Sequence, residues 1–134
     1  IYRLIDSLGL DSEDYHIADG SGVSHYNLIT AELLVEVLKY IYYKKENLFD
    51  SFYNSLSIAG IDGTLERRMR NTFAEDNVHA KTGTLKGVSS LSGYVTAKNG
   101  NLIAFSVLIQ NFVDSYSVAR RFQDKICVLL SGLE

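Results

Sequence analysis

Residues 90–109 read Ser90-Leu91-Ser92-Gly93-Tyr94-Val95-Thr96-Ala97-Lys98-Asn99-Gly100-Asn101-Leu102-Ile103-Ala104-Phe105-Ser106-Val107-Leu108-Ile109. Asn99-Gly100 separates two runs rich in apolar and β-branched residues, the pattern of a hairpin with strands over Ser90 to Lys98 and Asn101 to Ile109. An Asn-Gly pair favours a type I′ turn, in which both central residues take positive φ. The second run is apolar at both parities, with Ile103, Phe105, Val107 and Ile109 on one side and Leu102, Ala104 and Leu108 on the other. A strand apolar on two faces has to be covered twice, so helices are expected on both sides of the sheet.

Working outward, Val78 to Gly83 is a third, shorter strand candidate. The preceding part of the chain has helical period. Residues 1 to 9 read as the end of a helix with Ile1, Leu4, Ile5 and Leu8 on one face and Gly9 as its stop. Thr30 is expected to cap a helix from Ala31 to Tyr43, with Leu34, Val37, Leu38 and Ile41 inward and Glu32, Glu36 and Lys39 opposite. Residues 47 to 57 suggest a short helix carrying Leu48, Phe49, Phe52 and Leu56. Gly60 and Gly63 bracket a turn, and Thr64 is expected to cap a further helix through Met69. Arg67, Arg68 and Arg70 beside it read as a solvated face rather than a binding patch. Beyond the hairpin, Asp114 is expected to cap a closing helix with Val118, Phe122, Ile126, Leu129 and Leu130 on its apolar face, ending at Gly132. The fold class is therefore α+β: an antiparallel sheet covered by helices on both faces, without repeat or linker.

Composition narrows the functional classes. The 134 residues are 46% hydrophobic and 22% charged, ordinary values for a globular domain. A formal net charge of −3 gives no electrostatic basis for a nucleic-acid or anionic-membrane partner. No apolar run approaches the length of a bilayer span. The first residues, Ile1-Tyr2-Arg3-Leu4-Ile5, read as folded sequence, so a processed or truncated N-terminus is expected. The single cysteine, Cys127, lies in an apolar run and reads as a small buried hydrophobe rather than a reactive thiol.

Two segments carry chemistry. His79-Ala80-Lys81-Thr82-Gly83-Thr84-Leu85 puts a lysine and two threonine hydroxyls on a strand that ends at a glycine-containing link. Such groups at a strand edge can bind a carboxylate, and Gly83 allows a peptide backbone to come close. Alone, the triplet reads equally as an exposed lysine ending a strand. Asp19-Gly20-Ser21-Gly22-Val23-Ser24-His25-Tyr26-Asn27 places serines and an asparagine on a turn before a helix. Those side chains could relay a proton or bind an amide, but residues of this kind more often satisfy turn backbone. His16, His25 and His79 have no metal-ligand spacing.

Taken together, the segments resemble the penicillin-recognising serine enzymes, whose signatures include Ser-x-x-Lys, Ser-x-Asn and Lys-Thr-Gly. The Asp19 to Ser24 turn, Ala59-Gly60 with Asp62-Gly63-Thr64-Leu65, and His79 to Leu85 continuing through Tyr94-Val95 are similar to the D-alanyl-D-alanine carboxypeptidase/endopeptidase family of low-molecular-mass penicillin-binding proteins. The resemblance extends from about residue 17 to residue 109. No serine in the chain has a lysine three positions later or an asparagine two positions later. The resemblance thus implies that residues 1–134 are the C-terminal part of one penicillin-binding domain of β-lactamase-like fold, the nucleophile-bearing N-terminal part being absent.

The activity it implies is acyl transfer on peptidoglycan stem peptides, through an attacking serine outside this chain, with β-lactams as mimics of the substrate. Lys81 would be the catalytic-site cation, Thr82, Gly83 and Thr84 the substrate-binding residues, and the Thr84 N–H half of an oxyanion hole. Neither metal nor organic cofactor is required, and the site would face the bacterial cell-wall compartment, periplasmic or otherwise extracytoplasmic. The resemblance also implies that strands from the N-terminal part complete the sheet beside the last strand seen here. Without them that strand would be an edge prone to self-association. Two other readings stay open at this point: a muropeptide-binding homologue without a nucleophile, and a small α+β interaction module.

Overall fold

Gly93 occupies the middle of the sheet because nothing larger fits. A Cβ there would overlap the His79 carbonyl oxygen and lie 2.6 Å from the Cα of Ala80. The computed structural model describes residues 1–113 and 115–134. Its sheet contains β1 (Ser57–Ile58), β2 (His79–Leu85), β3 (Val88–Thr96) and β4 (Leu102–Gln110), antiparallel throughout in the order β1-β2-β3-β4. The three long strands fall where the residue pattern puts them, with ends shifted by up to two residues.

The β3–β4 turn is a different one from that expected of Asn-Gly. Gly100 has φ +86°, whereas Asn99 is not among the residues with positive φ. Gly100 N–H donates to the Ala97 carbonyl at 2.9 Å, and Ala97 N–H to that of Asn101 at 2.8 Å. This is a three-residue loop in which one glycine alone takes the left-handed position.

Helices cover both faces, as a doubly apolar strand requires. On one face Ala80, Leu91, Val95 and Phe105 pack with Cys127 of α4 (Tyr116–Ser131) and with Leu65, Met69 and Val78. On the other, Tyr94 packs with Leu38 of α2 (Ala31–Lys44), with Phe49, Phe52 and Tyr53 of α3 (Glu46–Ser55), and with Leu56 just beyond it. The Tyr94 hydroxyl donates to the Leu38 carbonyl at 2.8 Å, and burial pushes its pKa up to about 12. A smaller cluster joins Ile5 of α1 (Tyr2–Ser7) to Tyr15 and Leu33. In β4 only Phe105 is fully buried; its neighbours on both faces are half-buried, which is the state of a strand at the edge of the sheet.

The Thr30 cap is present, its hydroxyl accepting from Leu33 N–H at 3.1 Å. Leu33 and Leu38 are the deeply buried residues of α2, while Leu34, Val37 and Ile41 are half-buried. Leu48, expected inward, is exposed. No helix runs from Thr64 to Met69. A 3₁₀ turn at Gly63–Leu65 is followed by turns in which Met69, Asn71 and Asp76 take φ between +54° and +59°, values that interrupt a right-handed helix.

Helix α4 presents a different face from the one its large apolar residues mark. Ala119, Gln123, Cys127 and Ser131, spaced by four, are buried, whereas Val118, Phe122 and Leu129 are about half exposed or more. Small side chains at that spacing let the helix lie close on the sheet, and Gln123 satisfies its amide by donating to Ser89 Oγ at 3.2 Å. The expected Asp114 cap lies outside the described residues; Ser115 is the N-cap, accepting from Ser117 N–H. Cys127 is fully buried, and burial first, then the Asp124 carboxylate, pushes its thiol up to about 12.

Candidate active site

The outer edge of β2 is paired with β1 only at His79 and Ala80. From Lys81 to Leu85 that edge is open among the described residues. Ala59 N–H donates to the Val78 carbonyl at 2.9 Å, and the two-residue period of a strand sends the backbone groups of Ala80, Thr82 and Thr84 the same way. Thr82 and Thr84 therefore turn N–H and C=O toward the open edge. Their side chains share a face with Leu91 and Ser89, while Lys81 and Gly83 share the opposite face with Ser92 and Ser90.

Lys81 is exposed, and its Nζ curls back to donate to the outward Thr82 carbonyl at 2.9 Å. Among the described residues that carbonyl is its one side-chain hydrogen-bond partner, which leaves further ammonium donors for an external acceptor. Gly83 leaves room that a side chain would take: a Cβ there would overlap Ser90 Oγ. Thr82 Oγ1 donates to Thr64 Oγ1 at 3.0 Å, which donates in turn to Ser57 Oγ at 3.4 Å. Thr64 thus serves the β2 edge and not a helix terminus.

Behind the threonines lies a second polar group. Arg68 is not on a solvated face. Its Nη2 is 2.7 Å from Asp124 Oδ1, its Nε donates to the same oxygen at 2.8 Å, and Nη2 also reaches Gln123 Oε1 at 3.1 Å. Gln123 connects this pair to Ser89, the cross-strand neighbour of Thr84. Thr64, Arg68, Thr82, Thr84, Ser89 and Arg120 line a depression of about 290 Å³ beside the strand. The sequence motif contains only the two threonines of this set. The others lie up to 38 residues from those threonines, and no spacing rule connects them to the motif.

In the Asp19 turn, side chains serve the backbone. Asn27 Oδ1 accepts from the N–H groups of Ala18 and Asp19 at 2.8 and 3.2 Å, Asp19 Oδ1 accepts from Gly22 N–H at 2.8 Å, and Ser24 Oγ from Tyr26 N–H at 3.1 Å. The Asn27 amide, ahead of smaller contributions from Gly22, Ser21 and Ser24, holds the Asp19 carboxyl below its usual value. No hydrogen bond among the described residues joins this turn to Lys81 or the threonines. His79 is buried with its ring stacked on Tyr53 at 3.9 Å. Among the described residues no three His, Cys, Asp or Glu side chains are grouped so as to hold a metal ion.

Residues 2–133 match the D-Ala-D-Ala carboxypeptidase 3 (S13) family. The chain belongs to that family. This membership in the low-molecular-mass penicillin-binding group sets aside the reading of fortuitous motifs on an unrelated module. The S13 chain is 40% identical over 136 residues to a D-alanyl-D-alanine carboxypeptidase of Actinomadura sp. strain R39, covering 98% of this chain and 24% of that protein. It is 38% identical over 119 residues to the D-alanyl-D-alanine carboxypeptidase DacB of Haemophilus influenzae, covering 87% of this chain and 24% of that one. The S13 chain therefore spans about a quarter of the length of these curated relatives. Among solved structures, penicillin binding protein 4 (dacB) of H. influenzae, complexed with a β-lactam, superposes with a TM-score of 0.83 at 29% identity, covering 97% of this chain and 32% of that one. The TLA-1 β-lactamase shares the fold, with a TM-score of 0.70 at 22% identity over 94% of this chain and 50% of the other.

Proposed function

We propose that the full-length protein is a serine DD-peptidase that cleaves the terminal D-alanyl-D-alanine bond of peptidoglycan stem peptides through an acyl-enzyme, and that it is acylated by β-lactams. The observation that carries this reading is the open edge of β2. There an S13 chain places the Thr82 and Thr84 backbone groups outward, between the Lys81 ammonium on one face and two hydroxyls on the other. A peptide lying along that edge extends the sheet by one strand. Its terminal carboxylate is held by Lys81 and the Thr82 and Thr84 hydroxyls, Gly83 giving the backbone room to approach. The Thr84 N–H points at the developing oxyanion and stabilises it.

The attacking serine, its partner lysine and the Ser-x-Asn group lie outside residues 1–134, which form the C-terminal part of one catalytic domain. The serine oxygen forms an ester with the penultimate D-alanine carbonyl, the amide bond to the terminal D-alanine breaks as its nitrogen takes a proton, and water then hydrolyses the ester. Stem peptides are met outside the cytoplasmic membrane, so the site is extracytoplasmic. Cysteine and histidine are not needed for any step. The same residues are compatible with a second reading, a muropeptide-binding homologue with no nucleophile anywhere.

Incubation with labelled benzylpenicillin, followed by peptide mapping, separates the two. One ester per full-length protein, on a serine outside residues 1–134 and followed three positions later by lysine, is expected. The chain of residues 1–134 is expected to give none. A stoichiometric ester on any of its own residues overturns the proposed division of the site, and a full-length protein that never acylates favours the binding homologue.

A further inference from the structure

The depression beside β2 holds two guanidinium groups, and they are not equivalent. Arg68 is committed: its side chain is 11% exposed, its charge is paired with Asp124, and its Nη2 also donates to Gln123 Oε1 and the Arg120 carbonyl. Arg120, on the second turn of α4, is exposed and lies within 4.0 Å of no carboxylate among the described residues. Its backbone is nonetheless fixed, because its carbonyl accepts from Arg68 Nη2 at 3.3 Å. The rest of the lining consists of the hydroxyls of Thr64, Thr82, Thr84 and Ser89 together with Ser90. A guanidinium with no carboxylate partner among the described residues, set among hydroxyls and with Asp124 already paired to Arg68, is a setting that favours an anion.

The pleat of β2 adds the second half of the argument. Lys81 leaves the strand on the Tyr94 face, whereas the depression opens on the α4 face with Thr82 and Thr84. A cation on each side of one open edge encloses whatever anion terminates a chain lying along it. We propose that Arg120 binds the substrate's terminal carboxylate from the α4 side, and so sets the preference of the site for peptides with a free C-terminal acid. The proposal rests on the DD-peptidase reading above. Arg68 acts through Arg120 as a positioning residue, tying the start of α4 to the strand through Gln123 and Ser89.

The test uses the full-length protein and its Arg120→Ala and Arg120→Lys variants, with an N-acylated peptide ending in D-alanyl-D-alanine and the same peptide as its C-terminal amide. The parent should prefer the acid. In Arg120→Ala, kcat/KM for the acid should fall roughly tenfold or more, mainly through KM, as expected on losing a charge-assisted contact. The amide should change less than twofold, and Arg120→Lys should recover part of the loss. Because Arg120 is exposed, the thermal midpoint should stay within a degree or two of the parent, about what an exposed substitution costs. Equal slowing of both peptides, or of neither, overturns the inference. If the parent turns over neither peptide, the DD-peptidase reading fails. Equilibrium binding of the acid against the amide, for parent and Arg120→Ala, then decides the carboxylate role by itself: a preference for the acid that Arg120→Ala abolishes supports it, and equal affinities overturn it.

Discussion

The sheet has two open edges, and they are built in opposite ways. The β2 edge beyond Ala80 is polar: an exposed lysine curls over it, two threonines line it, and a 3₁₀ turn hydrogen-bonded through Thr64 stands beside it. The β4 edge is apolar on both faces, with Ile103, Phe105 and Val107 toward α4 and Leu102 and Ala104 toward α2 and α3. Lysine at an edge is one of the ordinary ways to discourage strand addition, and β4 carries none between Leu102 and Gln110. On the proposed reading, the polar edge takes only a short peptide that its lysine and hydroxyls can hold by the carboxylate, whereas the apolar edge suits a full protein strand.

The largest effect expected at the polar edge is on chemistry. In the full-length protein Lys81→Ala should slow penicillin acylation by on the order of 2–4 kcal/mol of transition-state stabilisation. Lys81→Arg should be milder because the charge survives. Stopped-flow acylation rates check this, and an unchanged rate in Lys81→Ala removes the lysine from carboxylate binding. Next in size is the sheet between the edges. Gly93→Ala forces a Cβ to within 2.6 Å of Ala80 Cα and against the His79 carbonyl, so β2 and β3 must separate. A loss of about 1–3 kcal/mol in chemical denaturation is expected. Gly83→Ala at the open edge should cost less, since the overlapping atom is Ser90 Oγ, which can rotate away. If the two substitutions cost the same, the centre and the edge do not differ in tolerance.

At the apolar edge the expected signal is an alternation. Ala97 N–H donates to the Asn101 carbonyl, so the backbone groups of Ile103, Phe105 and Val107 point to β3 and those of Ala104, Ser106 and Leu108 point outward. For residues 1–134 alone, hydrogen exchange should be faster at Ala104, Ser106 and Leu108 than at their neighbours, unless the edge is taken by another strand. Sedimentation run in parallel should then show self-association or a bound second polypeptide. A monomer with all of those amides protected contradicts the reading of β4 as an open edge.

The smallest effect lies away from both edges. The folded pKa of Asp19 is below 3.8, so its contribution to the turn is fully present above about pH 3.8 and is lost as pH falls through the lower folded value. An NMR titration of the Gly22 amide should report that transition, and its absence in Asp19→Asn would tie it to this carboxylate.

Much of the fold was legible because period and punctuation are local properties. The alternation of residues 102–109, the Thr30 cap and the glycine-bounded hairpin each depend on a few neighbouring residues, and each recurs in the structure within two positions. The Lys81-Thr82-Gly83-Thr84 motif was legible for the same reason. Where local rules competed, tertiary packing decided. The Asn-Gly turn gave way to a loop that matches the β3–β4 register through Ala97 and Asn101, and the Thr64 hydroxyl went to Ser57 and Thr82.

The amino-acid sequence by itself determined the class of fold, the family resemblance and the position of the motif on a strand, since all three follow from residue order over short spans. Only the tertiary structure decided which face of α4 is buried, because the advantage of Ala119, Gln123 and Cys127 over Phe122 and Leu129 is close approach to a sheet whose surface the helix pattern does not contain. It also decided that, among the described residues, Arg68 has a carboxylate partner while Arg120 has none. Ion pairing across 56 residues depends on how α4 docks, and hydrophobic periodicity records nothing of where a charged side chain finds its partner.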